Sequence, residues 1–181
     1  IATVLVTNNP TLVGRVSPII AKIFTPFVFV SLAIFLGAVI GTGKDPFNDR
    51  EFLVVFNGLL IGVMAIILFS LSEITKGKNN KFQLLFLVGL SLLTIIDNGI
   101  ALSAIVFRLT EYGITPNRIA VLGSNLFMLS HLCMIAYQLI KILNKDAELI
   151  EVEKTIGKFL PLYTAWALVV VFFFPLLFGN R

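Results

Sequence analysis

Five apolar runs, each long enough to cross a bilayer and separated by short polar links, limit what this 181-residue chain can become. They cover residues 23–43, 52–71, 82–107, 119–140 and 159–178, with lengths of 21, 20, 26, 22 and 20, and together take up 109 of the 181 residues. A spanning helix needs about 20 mainly apolar residues to cross ~30 Å of hydrocarbon. Helices satisfy their own backbone in lipid, and the runs lack the two-residue alternation of a membrane barrel. The chain therefore reads as an all-α integral membrane protein: one domain over residues 1–181, built as a bundle of five transmembrane helices.

Composition supports this and removes other classes. Hydrophobic residues make up 57% of the chain and charged residues 13%; a soluble fold of this size has too little interior for so much apolar surface. The net charge of +4 is too sparsely distributed for a nucleic-acid partner. One histidine and one cysteine cannot supply the three or four ligands of a zinc site, so neither metal nor cofactor is expected. The expected partners are the lipid bilayer and other membrane subunits, or a further part of the same chain, since the sequence starts at Ile1 and not at Met.

Loop charges orient the helices. Arg15, Lys22, Lys76, Lys78, Lys81, Lys141, Lys145, Lys154 and Lys158 share one side, giving nine; Lys44, Arg50, Arg108, Arg118 and Arg181 give five on the other. The richer side, with the links near 72–81 and 141–158, is predicted to be cytoplasmic, which places the C-terminus outside. Residues 146–158 mix Leu149, Ile150, Val152 and Ile156 with charges and predict a short cytoplasmic helix lying on the interface.

Two helices carry small residues at spacings of four: Ala33, Gly37 and Gly41 on the first, Gly58 and Gly62 on the second. Such stripes let helix backbones approach where no hydrophobic force draws helices together. They predict that the first two helices pack on each other, or that one stripe meets another subunit.

Polar residues at membrane depth need an account. Asp97, followed by Asn98, lies near the middle of the third run, and a carboxylate there is costly unless protonated, paired or hydrated. His131 lies near the middle of the fourth. Asp97 precedes Arg108 by 11 residues and His131 follows Arg118 by 13, so at ~1.5 Å per residue their depths differ by only ~3 Å. Antiparallel neighbours could bring the two into contact, either as a hydrogen bond that locks helices together or as a proton relay, because histidine titrates near neutrality. Asn57 and Asn125 share a shallower depth and fit a structural contact.

The link between the third and fourth runs, RLTEYGITPNR over residues 108–118, is strongly punctuated. Gly113 supplies a turn, Thr115 an N-cap, and Pro116 stands at the first helical position, where its missing N–H costs nothing. Arg108 can pair with Glu111 or with a lipid phosphate. The stretch resembles an element, Arg-(two or three residues)-Tyr-Gly-x-Thr-x-x-Arg, that recurs in a bacterial multi-pass membrane family catalogued as a domain of unknown function, number four-one-five-three. The resemblance marks Arg108, Tyr112, Gly113, Thr115 and Arg118. It implies a bacterial inner-membrane location and topology, and brings no activity with it.

No catalytic constellation is visible, so enzyme activity is not the first expectation. The leading expectation is a structural or interaction module of a larger membrane protein or complex. A transporter or proton-conducting component using Asp97 and His131 is the alternative. A third is an enzyme acting on an anionic lipid at the turn, through Arg108, Glu111, Tyr112 and Arg118. The transport reading predicts a hydrated path at Asp97, the enzyme reading a lipid head group or cleft at Arg108 and Arg118, and the scaffold reading an interface with another chain on the glycine stripes.

Overall fold

The computed structural model describes residues 10–42, 47, 50–75, 81–144 and 149–179. The Lys76, Lys78 and Lys145 charges of the expected cytoplasmic side, and residues 1–6 at the start of the chain, lie outside the described residues.

Every described element is helical: α1 (Pro10–Thr42), α2 (Arg50–Thr75), α3 (Lys81–Tyr112), α4 (Pro116–Leu143), α5 (Leu149–Leu168), a π-turn (Val169–Phe173) and α6 (Phe174–Phe178). Five stretches are long and apolar enough to cross a membrane: Ile23–Gly41, Leu53–Leu71, Lys81–Tyr112, Pro116–Leu143 and Ile150–Phe178. They coincide with the five apolar runs and extend beyond several of them. At 32 and 28 residues, α3 and α4 reach about 48 and 42 Å, more than a ~30 Å hydrocarbon core requires.

α3 is the hub. Half of its span is buried, against 6% of the last one, and it packs on α1, α2 and α4. α2 and α4 both lean on α3 yet scarcely touch each other, and α5 lies against both. The result is a groove between α2 and α4, floored by α3. α5 covers it at the end far from the α3–α4 turn, where Val152 and Ile156 join the main core.

Phe56, Leu60, Ile67 and Leu71 of α2 recur at helical spacing and are fully buried, as are Leu87 and Leu90 of α3 and Leu132, Ile135 and Leu139 of α4. Close van der Waals contact holds such a core whether or not its surroundings are as apolar as leucine. A buried hydrogen bond of 2.7 Å between the Thr25 and Ser70 hydroxyls ties α1 to α2.

Two expectations are corrected. Ala33, Gly37, Gly41, Gly58 and Gly62 all face outward, and nothing lies within 4 Å of where a Cβ would stand on any of these glycines. α1 and α2 do pack on each other, but not through these stripes. The glycines that seat a neighbour are Gly89, where a Cβ would lie 2.8 Å from the Phe29 ring, and Gly123, which is covered by Trp166. Nor do residues 149–158, the described part of the expected interfacial helix, form a separate element. α5 runs unbroken from Leu149, because Val152 and Thr155 are buried on its packed face and Gln138 of α4 donates to Thr155 Oγ1 at 2.6 Å.

Near its end this last span widens. The Phe174 N–H bonds back to the Val169 carbonyl, five residues earlier, just before Pro175 in the first turn of α6. Proline lacks an N–H and its ring crowds the carbonyl four residues before it, so a wider turn accommodates it where a regular one would not.

Candidate functional site: an arginine cleft at the turn

The α3–α4 turn is built by local chemistry. Gly113 has φ +78°, the left-handed region that glycine enters without steric cost. Thr115 caps α4, its Oγ1 accepting from the Arg118 N–H at 3.4 Å, with Pro116 next. The last carbonyls of α3 have no intrahelical donor and carry the negative end of the helix dipole. Arg118 supplies what they lack: its Nη1 donates to the Tyr112 carbonyl at 2.7 Å and to that of Gly113 at 2.5 Å.

Arg108 lies one turn before Tyr112. Its guanidinium carbon stands 5.7 Å from the centre of the Tyr112 ring, and that of Arg118 stands at the same distance. The two guanidinium carbons are thus at most about 11 Å apart, and at an effective dielectric of ~20 their repulsion is at least ~1.5 kcal/mol. No ion pair joins Arg108 to the exposed Glu111, and Arg108 Nη1 is buried without a hydrogen-bond partner among the described residues.

Both arginines open onto one cleft of about 630 Å³ at the turn end of the α2–α4 groove. Leu53, Val54, Gly58 and Ile61 of α2, Ile105 of α3 and Val121 of α4 make it apolar; Asn57, Thr115 and Asn117 add neutral polar groups. Among the described residues no carboxylate lines it. The volume falls within the ~300–1,000 Å³ usual for ligand sites. A cationic mouth on an apolar trough suits an anion attached to hydrocarbon, and arginine's planar fork matches phosphate or carboxylate oxygens.

Of the remaining polar residues, Asn57 and Asn125 meet directly. The Asn125 Nδ2 donates to Asn57 Oδ1 at 2.5 Å, while Asn57 Nδ2 donates to the Leu53 carbonyl at 2.8 Å. This amide bridge spans the groove. Asp97 and His131 share a depth but no hydrogen bond. His131 turns to α5, where its ring stacks on Phe159 (centroids 4.2 Å apart, 2° between planes) and Nδ1 meets the Tyr163 hydroxyl at 3.3 Å. Both Asp97 oxygens and the Asn98 amide are buried without partners among the described residues. The expected contact fails because depth sets only the position along the axis; each residue also rotates the side chain by 100°.

Sequence reading missed Asn117, Ser124 and Tyr163. Ser124 and Tyr163 line a second cavity that shares the walls Asn57, Ile61 and Val121 with the cleft, and Trp166 bonds to Ser124 from α5. A polar tip inside an apolar run was the only available signal for Tyr163. Among the described residues no group of three or more His, Cys, Asp and Glu could hold a metal ion, and no lining residue of the cleft pairs a nucleophile with a base. The arrangement has the charge and shape to suit an anion. Comparison with protein-family models, curated proteins and solved structures finds no match to this chain.

Proposed function

We propose that this chain is a multi-pass membrane protein that holds the anionic head of a membrane amphiphile, of the phosphate-ester class, in the cleft shared by Arg108 and Arg118. The observation that carries this reading is that two arginines converge on one cleft which, among the described residues, has no carboxylate in its lining and no hydrogen-bond partner for the buried Arg108 Nη1. An anion between them relieves their repulsion and accepts the spare N–H groups. The loop-charge bias supports an orientation with the turn outside, and the likeness of residues 108–118 to the bacterial family supports a bacterial inner membrane.

The test is lipid retention by the purified chain. In nanodiscs or mild detergent the protein should retain phosphatidic acid over phosphatidylcholine, and Arg108→Ala should lower that preference about tenfold. Inorganic phosphate should compete weakly, because it lacks the chain that the apolar walls hold. Equal retention of the two lipids would end this reading.

A second reading has its own observation. The outward Ala33/Gly37/Gly41 stripe of α1 leaves open surface where another helix could approach closely. This supports a role as an interaction module beside another membrane subunit or a further part of a longer chain. The transport reading has less support, since Asp97 and His131 are not joined.

A further inference from the structure

The cleft has a neighbour below the arginines. Its walls at Asn57, Ile61 and Val121 are also walls of a second cavity of about 380 Å³ that continues between α2 and α4 to Met128 and Tyr163. From Arg118 to Met128 is ten residues of α4, or about 15 Å, half of a ~30 Å hydrocarbon core and so the depth of one leaflet.

The two parts differ in chemistry. At the mouth the arginines face no acid among the described residues. Along the deeper part the polar side chains are already engaged. Asn125 bonds to Asn57, Ser124 gives its proton to the Ala120 carbonyl and accepts from Trp166, and Tyr163 meets His131. A cavity whose hydrogen-bonding groups are spent among themselves has little to offer a sugar or a peptide, and takes hydrocarbon. The groove is also open sideways, with Val54 and Ile61 of its α2 wall both exposed, so a chain could enter without leaving the hydrocarbon layer.

We infer that the bound amphiphile draws one hydrocarbon chain out of the bulk leaflet and lodges it between α2 and α4, past the Asn57–Asn125 bridge, with its end near Tyr163. This rests on the headgroup reading above and narrows the ligand to an anionic phospholipid or phosphorylated long-chain alcohol. A free phosphate compound would leave the lower cavity without an occupant.

The full chain in nanodiscs containing phosphatidic acid with a photoactivatable diazirine at the chain end tests this. After illumination, mass spectrometry should place the label on Met64, Met128 or Tyr163. Val121→Phe, which narrows the passage, should lower that labelling at least fivefold, and Ile61→Phe serves as a second narrowing variant at an exposed position. Ile140→Phe, outside the groove, should leave labelling unchanged. Label confined to outward residues such as Val55 and Phe69, with retention still dependent on Arg108, would overturn the chain position and leave the headgroup site standing. Retention indifferent to Arg108→Ala would overturn the headgroup reading, while the labelled positions in the same sample still report where the chain lies.

Discussion

Arg118 donates to the Tyr112 carbonyl at 2.7 Å, so a side chain from the first turn of α4 finishes the last turn of α3. The same guanidinium lines the cleft, which makes one residue both a helix cap and part of an anion site. Its partner Arg108 has no capping task. The two roles can therefore be separated.

Arg118→Ala should lower both stability, by about 1–2 kcal/mol for the lost charge-assisted bonds, and anionic-lipid retention. Arg108→Ala should lower retention with little change in stability. Retention by the native protein should also weaken as salt rises, because the site is partly open and screening grows with ionic strength. Unfolding by denaturing detergent, read beside lipid retention, checks all three outcomes.

Within the turn, Thr115→Ala should cost about 1 kcal/mol through loss of the N-cap. Gly113→Ala should cost about 1–2 kcal/mol, the penalty for a Cβ at positive φ. Neither side chain lines the cleft with charge, so retention corrected for unfolded protein should persist in both.

The turn was legible in the sequence because capping is chemistry between near neighbours: Gly113, Thr115 and Pro116 have the residue types their backbone positions require. The five spans were legible because length and apolarity are local. Azimuth was not. Asp97 and His131 stand 15 residues from the two sides of the turn, yet His131 serves α5, and nothing short of the packed bundle reveals that Phe159 offers it a ring. For the same reason the i, i+4 glycines drew attention, whereas the close approaches fall at Gly89 and Gly123, which have no small partner at that spacing. The arginines of the cleft were readable as a pair, but the groove beneath them depends on α2 and α4 standing apart on α3.

The Asn57–Asn125 bridge can be measured by a double-mutant cycle. Asn125→Leu leaves Asn57 Oδ1 without its donor and should cost about 0.6–2 kcal/mol. The double variant Asn57→Leu/Asn125→Leu should recover part of that loss, since removing both polar partners is milder than orphaning one. Simple additivity in detergent unfolding would mean that the bridge contributes nothing.

Glycine substitutions should divide by site. Gly123→Ala drives a methyl group into Trp166 and should cost about 1–3 kcal/mol, with a shift in the emission of the chain's single tryptophan. Gly37→Ala and Gly58→Ala meet open space and should be neutral or stabilising by up to about 1 kcal/mol. If the outward stripe joins a second subunit, Gly37→Leu should lower the mass of the native complex while the monomer remains folded.

Asp97→Asn changes a buried acid into a neutral group of nearly the same shape. With no hydrogen-bond partner at either oxygen among the described residues, the variant should be at least as stable as the native chain. A loss above about 1 kcal/mol in the same unfolding assay would show that the carboxylate has a partner in the membrane.

The π-turn at Val169–Phe173 has one more consequence. An extra residue in a turn advances the helix by about 100° of phase, so the last span behaves as two half-helices wound to separate clocks. The first half aims Tyr163 and Trp166 at α4. The second, rephased, brings Phe174 edge-on to the same Trp166 at 6.0 Å while Leu176 and Leu177 face outward. Deleting one residue from Val169–Phe173 would restore a single phase, remove the room Pro175 needs, and turn Phe174 away from the indole.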